Sequence, residues 1–176
     1  TFALTASIDA RADSWKFPPK VETETFDHGA VRVVQTRDAR RDQQMPDFLM
    51  EVFHQGERVA SFPGVWVDQV FASDDQQVFV GLSNVGIPWT AVIAFNARGR
   101  LTLHAQHGLA EFDYCEKSVT LQRVWYDEDR PNVRFRLEGW HPGTPRNPKP
   151  GIFLRSCGGR EIELIVTVQE AFARAA

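Results

Sequence analysis

Residues 152–168 read IFLRSCGGREIELIVTV. After Gly158 and Gly159, an apolar side chain stands at every second position: Ile162, Leu164, Val166 and Val168. A period of two is typical of a β-strand with one buried face. Gly158 and Gly159 separate this run from the apolar run at 152–156, and two adjacent glycines fit a tight primed turn. These residues therefore predict an antiparallel hairpin.

The same combination of apolar runs and turn residues recurs along the chain. Further hairpins are predicted at 48–62 around Gln55-Gly56, at 68–82 around Asp74-Asp75, at 91–104 around 96–99, and at 119–137 around 127–132. The third suits a type I turn with Gly99 left-handed at a bulge. The chain is thus expected to be all-β and mainly antiparallel, a β-meander forming a sandwich or a partly open barrel. Alanines at 168–176 favour one short C-terminal helix.

A β-propeller is an alternative that the spacing of the runs raises. Residues 66–107 hold about four strands in the length of one propeller blade. No second copy of that pattern is recognisable elsewhere in the sequence.

Composition predicts one β-rich globular domain over residues 1–176. Of the 176 residues, 43% are hydrophobic and 24% are charged, which is typical of folded globular chains. The net charge of −3 lacks the basic footprint of a nucleic-acid-binding protein, so no nucleic acid partner is expected. Arg134 and Arg136 alternate with Phe135, which puts the ring on the face opposite the guanidinium groups. No apolar run has the length of a membrane span, so no membrane insertion is expected.

The chain contains two cysteines, Cys115 and Cys157. An even count permits one disulfide, and a loop of this length would contribute roughly 4 kcal/mol in the chain-entropy estimate. Two free thiols in a cytoplasmic protein are the alternative. The first residue is Thr1 and not methionine. Cleavage of a signal peptide would produce such a start, and so would a shortened chain. We therefore expect a periplasmic or secreted protein, with a cytoplasmic one as the alternative.

Residues 139–151, GWHPGTPRNPKPG, are the first candidate for a partner-binding surface. Four prolines prevent strand pairing there, and long loops without secondary structure are often functional. Trp140 would be the aromatic anchor, accompanied by His141 and Arg146. The alternative is a passive crossover with Trp140 folded into the core.

Two further tryptophans and two arginines complete the predicted partner-binding set. Trp66 and Trp89 each lie beside a proline-marked turn. Arg40 and Arg41 lie in the polar segment 37–46, and their forked donors could bind an acidic partner. Tryptophans that plug the open ends of a sandwich, and a solvated connector at 37–46, are the alternatives.

One cluster could carry chemistry. His104, His107 and Cys115 lie close in sequence and have side chains that bind zinc. The odd spacing of the two histidines would put them on opposite faces of a strand, which argues against a shared metal. The sequence contains no nucleophile elbow and no phosphate-binding glycine loop. We therefore assign no catalytic residue, metal or cofactor.

These observations predict a non-enzymatic protein-binding module of the cell envelope. An inhibitor or immunity-type protein that blocks a toxic or hydrolytic partner is its concrete form, and the partner would be another protein. One alternative is a metal-dependent hydrolase that uses His104, His107 and Cys115. The other is a structural or assembly subunit.

Overall fold

A computed structural model describes residues 20–40, 45–86, 88–107, 113–117, 123–136 and 151–165. All regular structure in these residues is β-strand, and all strand pairing in them is antiparallel, so the all-β prediction is confirmed. Among these residues, no helix has the length and apolar character needed to cross a bilayer. The helix predicted at 168–176 and all but the last residue of the proline-rich segment 139–151 lie outside the described residues.

The first sheet is a four-stranded meander in the order β1-β2-β3-β4. Its strands are β1 (Val21–His28), β2 (Val31–Asp38), β3 (Asp47–His54) and β4 (Glu57–Pro63). Alternate side chains of β2 are buried, namely Val31, Val33 and Gln35, because this face packs against the second sheet. The sequence assigned Arg37 and Asp38 to a loop, but both are paired in β2, opposite Phe48 and Asp47 of β3.

The second sheet is a meander of the same kind, in the order β5-β6-β7-β8. Its strands are β5 (Gln69–Ala72), β6 (Val78–Leu82), β7 (Thr90–Asn96) and β8 (Leu101–Gln106). The inner strands β6 and β7 are buried along almost their whole length because other sheets cover both of their faces. A register shift between Thr90 and Val92 turns Ala91 and Val92 toward the same side.

A two-stranded ribbon and a third sheet follow. The ribbon pairs β9 (Glu116–Lys117) with β10 (Arg123–Val124), and the third sheet contains β11 (Arg134–Arg136), β12 (Gly151–Arg155) and β13 (Glu161–Ile165) in that order. An isolated bridge between Tyr126 and Ser156 connects the chain after the ribbon to the third sheet. The predicted strand 119–126 is described only from residue 123 onward.

The second sheet is the middle layer of a stack. One face packs against the first sheet through Val33, Met50, Phe79, Ile93 and Phe95, all fully buried. The opposite face packs against the third sheet in a separate core that contains Val80, Leu82, Val92, Trp125, Tyr126 and Ile152. None of the described sheets closes on itself, so the arrangement is a β-sandwich with one added layer.

The hairpin predicted at 119–137 is wrong for the residues that the structure describes, because β10 pairs with β9 and β11 pairs with β12. The other hairpin turns follow the predicted chemistry with one correction. Gly99 has φ of +73°, and its N–H donates to the Asn96 carbonyl at 2.8 Å, as expected for a type I turn with a bulge. The primed turn predicted at Gly158-Gly159 is wrong. Only Gly159 is left-handed, with φ of +80°, and its N–H donates to the Ser156 carbonyl at 2.9 Å. Both loops therefore have the same three-residue form.

The segment 66–107 contains a complete four-stranded sheet, as its blade-like length suggested. The first sheet is a second meander with the same strand order, although no repeat of residues revealed it. The likeness between the two sheets is therefore one of topology and not of sequence.

Candidate functional site

A buried polar cluster lies at the end of the second sheet, where β6 gives way to the loop that leads to β7. Its centre is Asn84, which is only 2% exposed. The Asn84 side chain accepts a hydrogen bond from the Trp125 N–H at 2.9 Å and donates to the Tyr126 carbonyl at 3.2 Å and to Glu128 Oε1 at 2.9 Å. One amide thus joins the second sheet to the segment that leads into the third. We call Asn84 together with the hydrogen-bonded residues around it the Asn84 cluster, which also contains Asp68, Ser83, Trp125, Tyr126 and Glu128.

The other side of the Asn84 cluster is formed by Asp68 and Ser83. Asp68 Oδ2 accepts hydrogen bonds from the Asn84 N–H at 2.8 Å and from the Ser83 hydroxyl at 3.1 Å. Burial raises the pKa of Asp68, the two hydrogen bonds oppose this change, and the charges of Glu128 and Glu24 add to it. The carboxylate is therefore held in surroundings that disfavour its charge.

His107 lies at the end of β8 and is 3% exposed. Its Nε2 is 3.1 Å from the Ser83 carbonyl oxygen, and its Nδ1 is 3.2 Å from the Tyr114 hydroxyl. A carbonyl oxygen only accepts, so Nε2 carries the proton and Nδ1 accepts from Tyr114. Burial lowers the pKa of His107 to about 4, with the charge of Arg123 adding and the Ser83 carbonyl opposing. The ring is therefore neutral at physiological pH.

A disulfide stands beside this histidine. Cys115 and Cys157 are bonded, with Cα atoms 6.1 Å apart, and the bond ties the segment 113–117 to the turn between β12 and β13. Tyr114, the neighbour of Cys115, is thereby positioned with its ring 5.7 Å from that of His107. The ammonium group of the exposed Lys117 lies 4.5 Å from the Tyr114 ring centroid.

Trp89 lies at the surface above this cluster. It is 45% exposed, the largest value for any large apolar side chain in the described part of the chain. Its backbone is left-handed, with φ of +78°, which is an outlier for a bulky residue. The Trp89 carbonyl accepts the His107 N–H at 2.7 Å. The buried histidine therefore anchors the backbone of an exposed tryptophan.

The other predicted partner-binding residues that the structure describes follow strands of the first sheet, Arg40 after β2 and Trp66 after β4. Trp66 is half-buried, with its ring 6.0 Å from that of Phe48 and 5.6 Å from the guanidinium carbon of Arg37. Arg40 is exposed and forms a bidentate ion pair with Asp38, whose carboxylate is 2.6 Å away at the closest atoms. Trp66 and Arg40 are thus in contact with strand residues of the first sheet, whereas the Trp89 backbone is hydrogen-bonded to His107 at the end of the second sheet. Trp140, His141, Arg146 and Arg41 lie outside the described residues.

The three side chains of the hydrolase alternative are not arranged as a ligand set. The Cys115 sulfur is bonded to Cys157, and both ring nitrogens of His107 have hydrogen-bond partners, while His104 lies on an exposed position of β8. Within the ranges that the structure describes, no group of three or more His, Cys, Asp or Glu side chains could hold a metal ion.

The outer face of the third sheet carries charges around an aromatic ring. The guanidinium carbons of Arg134 and Arg136 lie 5.7 Å and 4.7 Å from the Phe153 ring centroid, and the two arginines form ion pairs with Glu161 and Glu163. The sequence correctly separated the arginines from Phe135, whose side chain packs into the core on the opposite face. It did not predict that β12 would bring Phe153 to the arginine face.

No local pattern in the sequence predicted the Asn84 cluster or the contact between Tyr114 and His107. Asp68, Ser83, Asn84 and Tyr114 match no catalytic or binding motif. The one usable signal was the polar pair Ser83-Asn84 directly after the apolar strand β6, since polar residues at a strand end often interact with neighbouring elements.

Comparison with known proteins gives no relative: no family model, curated protein or solved structure matches this chain.

Proposed function

We propose that this chain is a non-enzymatic protein-binding module and that Trp89 is the anchor of its binding surface. The observation that carries the proposal is the combination of exposure and strain in one residue. Trp89 presents a large apolar ring to solvent from a left-handed backbone with φ of +78°. A bulky residue in that region costs about 1–3 kcal/mol, and such strain is characteristic of ligand-binding positions.

The surroundings of Trp89 suit an anchor. The hydrogen bond from the His107 N–H fixes the Trp89 carbonyl, and His107 is itself held by Ser83 and Tyr114. A ring presented from a rigid support loses little conformational entropy when a partner covers it. Tryptophan is also among the residues that contribute most to binding energy at interfaces.

We further propose an oxidising compartment, the periplasm or the extracellular space, as the place of action. The Cys115–Cys157 disulfide supports this because such bonds persist mainly outside the cytosol. An inhibitor or immunity-type protein that blocks a toxic or hydrolytic partner is the concrete form of the proposal. It fits a scaffold whose exposed anchor is aromatic and is held by a hydrogen bond from the end of the second sheet.

The test compares tagged wild-type protein with Trp89→Gly, Trp89→Ala and Val59→Ala in pull-downs from a cell-envelope extract. Val59 is 37% exposed on β4 and serves as the matched apolar control. We expect the partner captured by wild type and Val59→Ala to be reduced at least about tenfold by both Trp89 variants, which corresponds to losing one anchor residue. Equal capture by all four proteins would overturn the proposal.

Thermal unfolding of the same variants separates function from stability. Glycine adopts positive φ without penalty, so Trp89→Gly should melt at the same temperature as wild type or higher while binding less. A large fall in melting temperature would instead make Trp89 a structural residue. For the assembly-subunit alternative, light scattering would find a defined homo-oligomer.

A further inference from the structure

A continuous series of contacts joins the disulfide to the exposed tryptophan. Cys115 is bonded to Cys157, and the next residue toward the N-terminus is Tyr114. The Tyr114 hydroxyl lies 3.2 Å from His107 Nδ1, and the His107 backbone N–H donates to the Trp89 carbonyl at 2.7 Å. Every link in this series is a covalent bond or a hydrogen bond, so the position of the disulfide bears on the position of the Trp89 backbone.

The disulfide lies where a redox partner can reach it. Cys115 is exposed and Cys157 is half-buried. Exposed disulfides are generally easier to reduce than buried ones, and regulatory disulfides are found among them. The bond can therefore form and break without unfolding of the chain around it.

The other contacts of the segment 113–117 are those of a surface segment. The Cys115 N–H donates to the Val124 carbonyl at 2.9 Å, and the strand β9 contributes two residues to its ribbon. Asp113 forms an ion pair with Arg160, and both side chains are exposed. Exposed ion pairs contribute little, because solvent screens them and two side chains must be ordered. The disulfide is thus the strongest restraint that holds this segment against the turn between β12 and β13.

We propose that formation of the Cys115–Cys157 disulfide switches the Trp89 surface into its binding form. In the disulfide state, Tyr114 is held on His107, and His107 fixes the Trp89 carbonyl. In the dithiol state, the segment 113–117 is released, Tyr114 leaves His107, and the tryptophan loses its rigid support. This inference rests on the proposed function, since it concerns the regulation of the same surface.

The chemical step is a thiol–disulfide exchange. The two cysteine thiols lose two protons and two electrons as their S–S bond forms, and the S–S bond of a disulfide oxidant accepts them and breaks into two thiols. A reducing compartment would keep the chain in the weakly binding dithiol state, and an oxidising compartment would activate it. The module would therefore bind its partner only in the compartment proposed above.

The first experiment measures NMR order parameters of the full chain, with the disulfide formed and after reduction with dithiothreitol. On reduction, we expect the backbone values of Trp89 and His107 to fall from about 0.85, typical of rigid backbone, toward about 0.6, typical of flexible backbone. Gly99, in the turn at the opposite end of the β7–β8 hairpin, and the buried Ile93 should keep their values. Unchanged values at Trp89 and His107 would overturn the proposal. Collapse of the dispersed signals would also overturn it, because the whole fold would then open.

Variants assign the effect to the disulfide and to the tyrosine hydroxyl. Cys115→Ala/Cys157→Ala should show the low order parameters with and without dithiothreitol. Tyr114→Phe keeps the disulfide and the ring but removes the hydroxyl, so it should lower the same order parameters part of the way. Tyr126→Phe is the matched control, because its buried hydroxyl has no hydrogen-bond partner among the described residues, and it should change nothing. Equal values for the two tyrosine variants would contradict the assignment.

Pull-downs from the cell-envelope extract separate failure of the switch from failure of the proposed function. Cys115→Ala/Cys157→Ala should capture the wild-type partner at least about fivefold less, at the lower end of common coupling strengths. If Trp89→Ala captures as much as wild type, the proposed function fails, and the order parameters alone decide whether the disulfide controls this backbone. If Trp89→Ala loses the partner and the cysteine variant retains it in full, the switch fails and the proposed function stands.

Discussion

The Nε2 atom of His107 lies 3.1 Å from the backbone carbonyl oxygen of Ser83. The same oxygen accepts the indole N–H of Trp125 at 2.8 Å, so two rings from different parts of the chain converge on one acceptor. The neutral Nε2–H tautomer of His107 is the form that this geometry requires. Protonation would place a positive charge in a buried site near Arg123.

We expect His107 to make the folded state less stable as the pH falls from about 6.5 to about 4. The unfolded chain takes up a proton near pH 6.5, whereas the folded state does so only near 4. The unfolded state binds more protons in this window, so the free energy of unfolding decreases with decreasing pH. The full effect is on the order of 3 kcal/mol. Urea unfolding at several pH values measures it.

The control for this prediction is a difference between variants. The raised pKa of Asp68 acts in the opposite sense at acid pH, because the folded state binds that proton more tightly. Subtracting the profile of His107→Gln from that of wild type cancels this contribution. Parallel profiles for wild type and His107→Gln would contradict the role of His107.

Removal of the disulfide should destabilise the fold. Cys115 and Cys157 are separated by 42 residues, and for that loop length the chain-entropy estimate is about 4 kcal/mol. The double variant Cys115→Ala/Cys157→Ala should therefore unfold at a lower urea concentration than the oxidised wild type. Dithiothreitol should shift the wild-type midpoint toward that of the variant and have no effect on the variant itself. Identical midpoints without reductant would show that the bond does not form in solution.

Gly81 should tolerate no side chain. A Cβ atom there would lie 2.9 Å from Val67 Cγ1 and 3.1 Å from Ile93 Cγ2, both in the packed core. Gly81→Ala is expected to cost about 1–3 kcal/mol through overpacking. Gly158→Ala is the control, since its Cβ would approach nothing closer than Ser156 Oγ at 3.8 Å. The double variant Gly81→Ala/Val67→Ala should lose less free energy of unfolding than the sum of the losses in the two single variants, because the second change removes the clashing methyl groups. A double-mutant cycle measured by urea unfolding tests this.

Gln35 should be indispensable despite lying in an apolar core. It is fully buried, its Nε2 donates to the Val67 carbonyl at 2.7 Å, and its Oε1 accepts the Val67 N–H at 3.0 Å. Gln35→Leu would leave both backbone groups unsatisfied, at a cost of about 2–4 kcal/mol. The exposed Gln77→Leu should change stability by less than about 0.5 kcal/mol. Equal urea midpoints for the two variants would refute this account.

Local signals were sufficient to predict most hairpins. Gln55-Gly56, Asp74-Asp75 and the turn at Gly99 mark connections between neighbouring strands, and alternation marks the strands themselves. The hairpin of β1 and β2 was not singled out, because β1 is largely exposed on both faces and shows no clear apolar period. The glycine between the two strands, Gly29, was the one local turn signal, and in the structure it is left-handed with φ of +60°.

The stacking of the sheets and the candidate site depend on contacts that no local pattern carries. Gln35 meets Val67 across 32 positions, and Asn84 meets Glu128 across 44. Polar residues of this kind look like ordinary turn and strand residues until the chain has folded. The sequence selected Trp89 as an edge residue, but no local pattern predicted the left-handed backbone or the hydrogen bond from His107 that set it apart.

The middle position of the second sheet bears on how the molecule opens. If the first sheet detaches, one face of β6 and β7 meets water; if the third detaches, the other face does. Each opening exposes one apolar core and leaves the other in place, so partial unfolding can begin from either side. The amide protons of β6 and β7 should then be the slowest to exchange with deuterium, since both layers must separate before the central strands come apart.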